Sequence, residues 1–157
     1  MDEVYNETSE IMVAQDSAPI AKQDRSFKEN LLVDVNEQGY YATFDIETMA
    51  DKKRLFSARN DNKLLRDHMN EQIEVEEFVI DTKQINDSEL GVKTVPCVHI
   101  ISVDGNVYQS ASTGVVSSVC EIISSFGRPD TWTEPVHVEC RETTTAQGFR
   151  YKYLDVV

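Results

Sequence analysis

Residues 98–135, VHIISVDGNVYQSASTGVVSSVCEIISSFGRPDTWTEP, decide the fold of this chain. The stretch begins as an apolar strand and turns at Asp104-Gly105, a strong hairpin signal, before it returns as a second strand. Apolar residues at spacings of three and four then predict a helix over residues 115–126, which Gly127 ends. The sequence therefore predicts a β-hairpin that leads into a capped helix.

Strand patterns lie on both sides of this segment. Before it, residues 73–80 alternate with a change of phase at Glu76-Glu77, which predicts a β-bulge. After it, residues 136–141 and 149–156 form two more alternating segments. The order from residue 73 is strand, strand, strand, helix, strand, strand. That is the order of an OB-fold, so we predict a mainly β protein with an OB-like five-stranded barrel and one capping helix.

Two N-terminal features are predicted to lie outside this barrel. Alternating apolar residues predict an extra β-hairpin over residues 40–58. Residues 1–37 are acidic and lack a sustained apolar period, which predicts a flexible tail with one docking strand near residues 31–35. The predicted division is thus a tail, 1–37, and an OB-like domain, 38–157.

Composition limits the class of protein. The chain has 157 residues, 40% of them hydrophobic and 27% charged, which is typical of a globular protein. No apolar run reaches the roughly 18–20 residues that a membrane span requires, and the start of the chain does not resemble a signal peptide. We therefore expect a cytoplasmic protein with no membrane partner, in the host cytoplasm if a phage encodes it.

Cysteine and histidine residues offer one arrangement that could hold a metal. Cys97-x-His99 and His137-x-x-Cys140 would supply four zinc ligands. If both segments are strands, however, only the first pair shares a face. We therefore predict no metal and no cofactor, and we expect the three widely spaced cysteines to be reduced.

Catalytic signatures are missing from the sequence. There is no Walker A loop, no G-x-G-x-x-G and no H-E-x-x-H, and no nucleophile lies at a useful spacing from a base. The acidic pair Glu76-Glu77 belongs to an acidic stripe that is typical of a solvated strand face. We therefore predict a binding protein and not an enzyme.

Charge is distributed unevenly along the chain. The formal net charge is −13, and residues 1–38 alone contribute −6, from nine acids and three bases. Residues 71–89 carry seven acids and one base. Between these blocks, residues 52–66 carry six bases and one acid, a local surplus of +5. The surplus is either an ordinary solvated surface or a surface that binds an anionic partner.

Binding of single-stranded nucleic acid requires a positive groove and aromatic faces for stacking. Residues 52–59 and 149–153 combine both residue types, and a strand would put Phe149, Tyr151 and Tyr153 on one face. The alternative is that these rings pack into the barrel, and that Trp132 covers the end of the helix. The predicted contacts are Lys52, Lys53, Arg54, Phe56, Arg59, Lys63, Arg66, Tyr108, Trp132, Arg150, Tyr151 and Lys152.

The chain resembles single-stranded DNA-binding proteins of bacteriophages and related mobile elements of Gram-positive bacteria. The resemblance extends over residues 44–156 and rests on the order of short motifs. It implies an OB-like fold, sequence-independent binding of single-stranded DNA, and a role in replication of the element. The motifs are Val103-Asp104-Gly105-Asn106-Val107-Tyr108, Ser112-x-Gly114-Val115, Phe126-Gly127-x-Pro129, Trp132 and Pro135.

The acidic segment differs from the usual pattern, because bacterial single-stranded DNA-binding proteins commonly carry it at the C-terminus. We expect the N-terminal tail to compete with DNA or to recruit replication proteins. The leading prediction is a protein that protects single strands during replication. The alternative is a structural or interaction protein, such as a virion component or an acidic inhibitor that mimics DNA.

Overall fold

The computed structural model describes residues 26–60, 62–89 and 91–157. The chain divides into two units, Met1–Val33 and Asp34–Val157. Helix α1 (Phe27–Gln38) begins in the first unit with a capping box. The Ser26 N–H donates to Glu29 Oε1 at 2.9 Å, and the Glu29 N–H donates to Ser26 Oγ at 3.2 Å. None of the helices in the described residues has the length and apolar character needed to cross a bilayer.

The second unit is mainly β, a curled sheet that forms a half-barrel. Together with α1, two further helices make three in the described residues. These two helices are α2 (Met49–Asn60) and α3 (Thr113–Phe126). The strands are β1 (Tyr41–Ala42), β2 (Lys63–Leu64), β3 (Ile73–Asp87), β4 (Gly91–Ser102), β5 (Val107–Ser110), β6 (His137–Thr144) and β7 (Arg150–Val156).

Strand β3 lies at the centre of the sheet and pairs on both sides. The order is β2-β5-β4-β3-β6-β7, and β1 also pairs with β3. The register of β3 against β4 shifts between Val75 and Glu77, which confirms the predicted bulge. Before the bulge, Ile73 pairs with Val138 of β6. Because a bulge bends its strand, β3 can belong to both halves of the curled sheet.

The predicted order of elements from residue 73 onward is confirmed, and it is consistent with an OB-like barrel. The turn between β4 and β5 forms at Asp104-Gly105, where the Ser102 N–H donates to Asn106 O at 2.8 Å. Helix α3 ends at Gly127, which has a φ of 79° that favours glycine. The turn residues Asp104-Gly105 and the helix-ending Gly127 therefore predicted the hairpin and the end of the helix correctly.

Apolar residues pack on both faces of the sheet. Phe78 and Ile100 are fully buried, as are Val115 and Val119 on the apolar stripe of α3. On the other face, Leu55 and Ala58 of α2 form a cluster with Val79 and Ile101. Burial of β3 on both faces explains why its central part reads as a continuous apolar run.

The predicted hairpin over residues 40–58 is wrong. Only Tyr41–Ala42 pair as a strand, and Met49–Asn60 form α2. A capping box starts this helix, because the Asp51 N–H donates to Thr48 Oγ1 at 3.1 Å and the Thr48 N–H donates to Asp51 Oδ2 at 3.0 Å. The Thr48-x-x-Asp51 spacing therefore indicated a helix, whereas the alternating apolar residues suggested a strand.

The docking strand predicted near residues 31–35 is also wrong, since these residues lie within α1. Residues 1–25 of the predicted flexible tail lie outside the described residues. Its last part is described and is helical, so the division at residue 37 remains a prediction.

Candidate nucleic-acid interface

A cleft of about 260 Å³ opens at one end of the half-barrel. We call it the cationic cleft, because three cations from distant parts of the sequence line it and none of the described residues in its lining is a carboxylate. It collects residues from β2 and the turn after it, from the far end of β3, from β5 and from β7. The lining residues are Leu64, Arg66, Lys83, Ile85, Gln109, Ser110, Ala111, Ser112 and Lys152.

Strand pairing explains how these cations meet. Strand β2 pairs in parallel with β5, and Leu64 lies opposite Gln109. The 3₁₀ turn Leu65–His68 follows at once, with Leu65 buried and Arg66 exposed. Lys83 lies on the long hairpin of β3 and β4, where it pairs with Val95. The sheet therefore brings together residues that are widely separated in sequence.

Two of the three cations have no acidic partner among the residues that the structure describes. No carboxylate in that part of the chain forms an ion pair with Arg66 or Lys83. Lys152 Nζ lies 3.5 Å from Glu142 Oε2, and Arg150 Nη2 donates to Glu142 Oε1 at 2.6 Å. The hydrogen bond from Arg150 and the charges of Arg150 and Lys152 lower the pKa of Glu142. The cleft thus keeps a positive surplus in an acidic protein.

The predicted basic block of residues 52–66 is divided by the fold. Arg54 Nη2 lies 3.2 Å from Glu76 Oε1, and its guanidinium lies over the Phe44 ring at 4.5 Å. Arg59 Nε donates to Asp81 Oδ2 at 2.9 Å. These two arginines therefore hold α2 against the sheet and are largely neutralised.

The remaining residues of the block are exposed in two separate places. Lys52, Lys53 and Phe56 are exposed residues of α2, and Phe56 is 69% exposed. Lys63 is exposed on β2 and pairs with Tyr108 in register. Of the six basic residues in the block, only Arg66 lines the cationic cleft.

The predicted contact at Tyr108 is not supported by its position, since this side chain is only 7% exposed. Its ring meets His68 edge-on, with the ring centroids 5.1 Å apart. Burial raises the pKa of the phenol. Tyr108 is therefore a core residue of β5.

Trp132 covers the end of α3, as the alternative interpretation held. Its indole Nε1–H donates to Gly127 O at 3.1 Å. A second groove lies beside it, and we call it the acidic groove because four carboxylates line it. Burial is the main cause that raises the pKa of one of them, Glu77. These carboxylates are Glu76, Glu77, Asp130 and Glu134.

Tyr151 and Tyr153 share one face of β7, whereas Phe149, which was predicted to share it, lies before the strand begins. Tyr151 and Tyr153 stack with their centroids 6.2 Å apart. Tyr151 is 41% exposed, but its ring also lies on Gly114, where an added Cβ would come within 2.7 Å of Tyr151 Cε1. Lys152 projects from the opposite face of the strand and lines the cleft.

Phe149 lies outside the core, because it is 70% exposed in the turn between β6 and β7. Its backbone closes that turn, as the Thr145 N–H donates to Phe149 O at 2.8 Å. Sequence reasoning missed Lys83 and Ile85 as site residues, since they follow an acidic stripe. Only the register of the β3–β4 hairpin shows that they reach the cleft.

Potential metal ligands come together at one place in the described residues. Asp81, Cys97 and His99 form the one group of three acidic, cysteine or histidine side chains there that could share an ion. The sequence alternative with His137 and Cys140 is not assembled, because those residues lie on β6.

Comparison with known proteins identifies a family. A family model described as phage single-stranded DNA-binding protein matches residues 34–156. No curated protein and no solved structure matches the chain.

Proposed function

Because this chain belongs to the phage single-stranded DNA-binding protein family, we propose that it binds single-stranded DNA without sequence preference and protects it during replication. In this proposal the protein is a binding module of OB-like architecture and performs no catalysis. The family match supports binding of single-stranded DNA in general, and the cationic cleft supports the path that we propose for the strand.

The charge of the cleft carries this proposal. Arg66, Lys83 and Lys152 line one concavity, and no carboxylate from the described part of the chain joins them there, although the chain has a net charge of −13. A single strand presents a row of phosphates, and a concave cationic surface can follow it while the bases remain free to stack. Seryl hydroxyls and the Gln109 amide in the same lining can donate further hydrogen bonds to phosphate or sugar oxygens.

The position of the cleft within the strand order supports the same path. OB-folds bind oligonucleotides on the face of their second and third strands, between the first and the last hairpin loops. Counted from β3, those strands are β4 and β5, and the last hairpin loop is the one that ends at Phe149. The cleft lies at the end of β5, between the β3–β4 hairpin and β7.

Stacking on an exposed ring completes the proposed interface. Phe149 is next to Arg150 in sequence and three residues from Lys152 of the cleft. An exposed ring that no other side chain covers offers a face to any base, which gives affinity without sequence readout. We therefore add Phe149 to the proposed contacts.

Titration of fluorescent oligo-dT at several salt concentrations tests the proposal. Three phosphate contacts predict that log K falls with log salt with a slope of about −2, from roughly −0.7 per contact on single strands. Oligonucleotides of other base composition should bind with a similar slope, and duplex DNA of equal length should bind more weakly. Absence of binding at low salt, or an affinity that does not respond to salt, would contradict the proposal.

A further inference from the structure

Three buried side chains converge beneath α2, outside the cationic cleft. His99 is only 2% exposed, and its Nε2 lies 2.8 Å from Asp81 Oδ1. The Cys97 sulfur joins them, and the ligand atoms of all three residues lie within 4.8 Å of one another. Such a set of one nitrogen, one sulfur and one oxygen is rare in an apolar layer, because each of these groups loses hydration on burial.

Strand geometry forces this convergence. Asp81 of β3 pairs directly with Cys97 of β4 in the antiparallel register. His99 follows Cys97 by two residues and therefore projects from the same face of β4. The three side chains thus form a triangle that two rigid, central strands fix in place.

His99 and Asp81 each have a second polar atom, and a neighbouring side chain contacts it. His99 Nδ1 lies 2.9 Å from Asn62 Oδ1, on the side of the ring away from Asp81. Asp81 Oδ2 accepts a hydrogen bond from Arg59 Nε at 2.9 Å. Metal-binding histidines and carboxylates in proteins are commonly oriented in this way by second partners. Asp81 Oδ1, His99 Nε2 and the Cys97 sulfur are left to face one another.

We propose that Asp81, Cys97 and His99 form a binding site for a single Zn²⁺ ion. Thiolate, imidazole and carboxylate are together the ligands that zinc takes in proteins, whereas magnesium and calcium prefer oxygen alone. Three protein ligands leave one position of a tetrahedron open. Gln109 Oε1 lies 3.9 Å from the Cys97 sulfur.

Binding exchanges protons for the ion. Burial raises the pKa of the Cys97 thiol to about 11, so the free site holds a protonated thiol. The ion replaces the thiol proton and the proton of the hydrogen bond between His99 Nε2 and Asp81 Oδ1, and both protons pass to solvent. The bound ion would tie Arg59 and Asn62, which lie at the end of α2 and just after it, to the centre of the sheet.

Cobalt titration of the full-length reduced chain tests the site. After treatment with a chelator, Co²⁺ alone should bind at one ion per chain and give an intense thiolate-to-cobalt absorption band. Added Zn²⁺ should abolish this band and raise the thermal midpoint with concentration, as expected for a ligand that binds the folded state. A full-length chain that gives no such band overturns the proposal, whatever the variants show.

Cys97→Ser and Cys140→Ser are the matched variants, since both cysteines are buried in strands. The absorption band should be lost in Cys97→Ser and retained in Cys140→Ser, with the fold of each variant checked by circular dichroism. A band that persists in Cys97→Ser overturns the assignment. His99→Gln should also remove tetrahedral cobalt binding. None of these measurements depends on DNA binding.

Discussion

Two grooves of opposite charge lie on the same domain. Among the residues that the structure describes, the cationic cleft is lined by Arg66, Lys83 and Lys152 and by no carboxylate, whereas the acidic groove holds four carboxylates and Trp132. The aromatic residue Trp132 lines the acidic groove, whereas no aromatic ring of the described residues lines the cationic cleft. Sign of charge, and not the presence of an aromatic ring, is therefore what distinguishes a surface suited to DNA from one that repels it.

The comparison also shows how an acidic protein can bind a polyanion. The net charge of −13 describes the whole chain, but at physiological salt a phosphate is screened from charges more than about 8 Å away. A phosphate in the cationic cleft therefore responds mainly to the cations that line it. Cations that are already paired, such as Arg54 and Arg59, add little there.

Removal of the two cleft cations that pair with no described carboxylate is expected to have the largest effect. Arg66→Ala with Lys83→Ala should cost about 3 kcal/mol of binding to oligo-dT, because each charged hydrogen bond contributes about 1.5–3 kcal/mol. The salt slope should become shallower by about 1.4, or twice 0.7 per lost phosphate contact.

Lys52→Ala with Lys53→Ala is the control for that experiment, since it removes the same formal charge from exposed positions of α2 that do not line the cleft. Its affinity should stay within about twofold of the parent. Equal losses in the two double variants would show that total charge, and not the cleft, determines binding.

Two similarly exposed phenylalanines test whether a base stacks on a ring next to the cationic cleft. Phe149 is 70% exposed and Phe56 is 69% exposed, but only Phe149 lies near the cleft cation Lys152 in sequence. Phe149→Ala should cost about 1–3 kcal/mol of binding by fluorescence anisotropy, which is the usual contribution of one stacked base. Phe56→Ala should leave the affinity unchanged. Neither variant should lower stability by more than about 0.5 kcal/mol, since both rings are on the surface.

The sequence predicted those parts of the fold that local signals specify. The turn at Asp104-Gly105 and the end of α3 at Gly127 each depend on a few adjacent residues. Helix α2 was missed because its apolar contacts, Leu55 and Ala58, are few, and the neighbouring aromatic residues suggested a strand. Its capping box was the better signal.

The cleft could be predicted only in part, because it depends on pairing between distant segments. Arg66 and Lys152 were chosen for their local composition, and they meet because β2 pairs with β5 and β7 curls toward them. Lys83 stands alone in an acidic stretch, so no composition rule selects it. The ion pairs of Arg54 and Arg59 with acids of β3 could not be predicted either, because they depend on where α2 packs against the sheet.

A substitution at Tyr151 tests whether the face of β7 opposite Lys152 contributes to stability or to DNA binding. Its ring packs on Gly114 and on Tyr153, on the face opposite Lys152. Tyr151→Ala should therefore lower the free energy of unfolding by about 1–2 kcal/mol, less than a fully buried ring would cost. Urea denaturation and oligo-dT titration of the same variant measure both effects. A stable variant that loses about 1–3 kcal/mol of binding would place Tyr151 in the DNA path instead.

Trp132 should give the smallest effect on DNA binding, and it tests the acidic groove directly. Its indole anchors the end of α3 through Gly127 O, and the carboxylates beside it would repel a phosphate backbone. Trp132→Phe keeps an aromatic ring but removes the indole N–H that donates to Gly127 O. The free energy of unfolding should therefore fall by about 1 kcal/mol. Oligo-dT affinity should stay within about twofold of the parent, and saturating oligo-dT should leave the emission of Trp132 in the parent largely unchanged. Strong quenching of that emission, together with weaker binding by the variant, would move the strand to the acidic groove and reverse the comparison between the two surfaces.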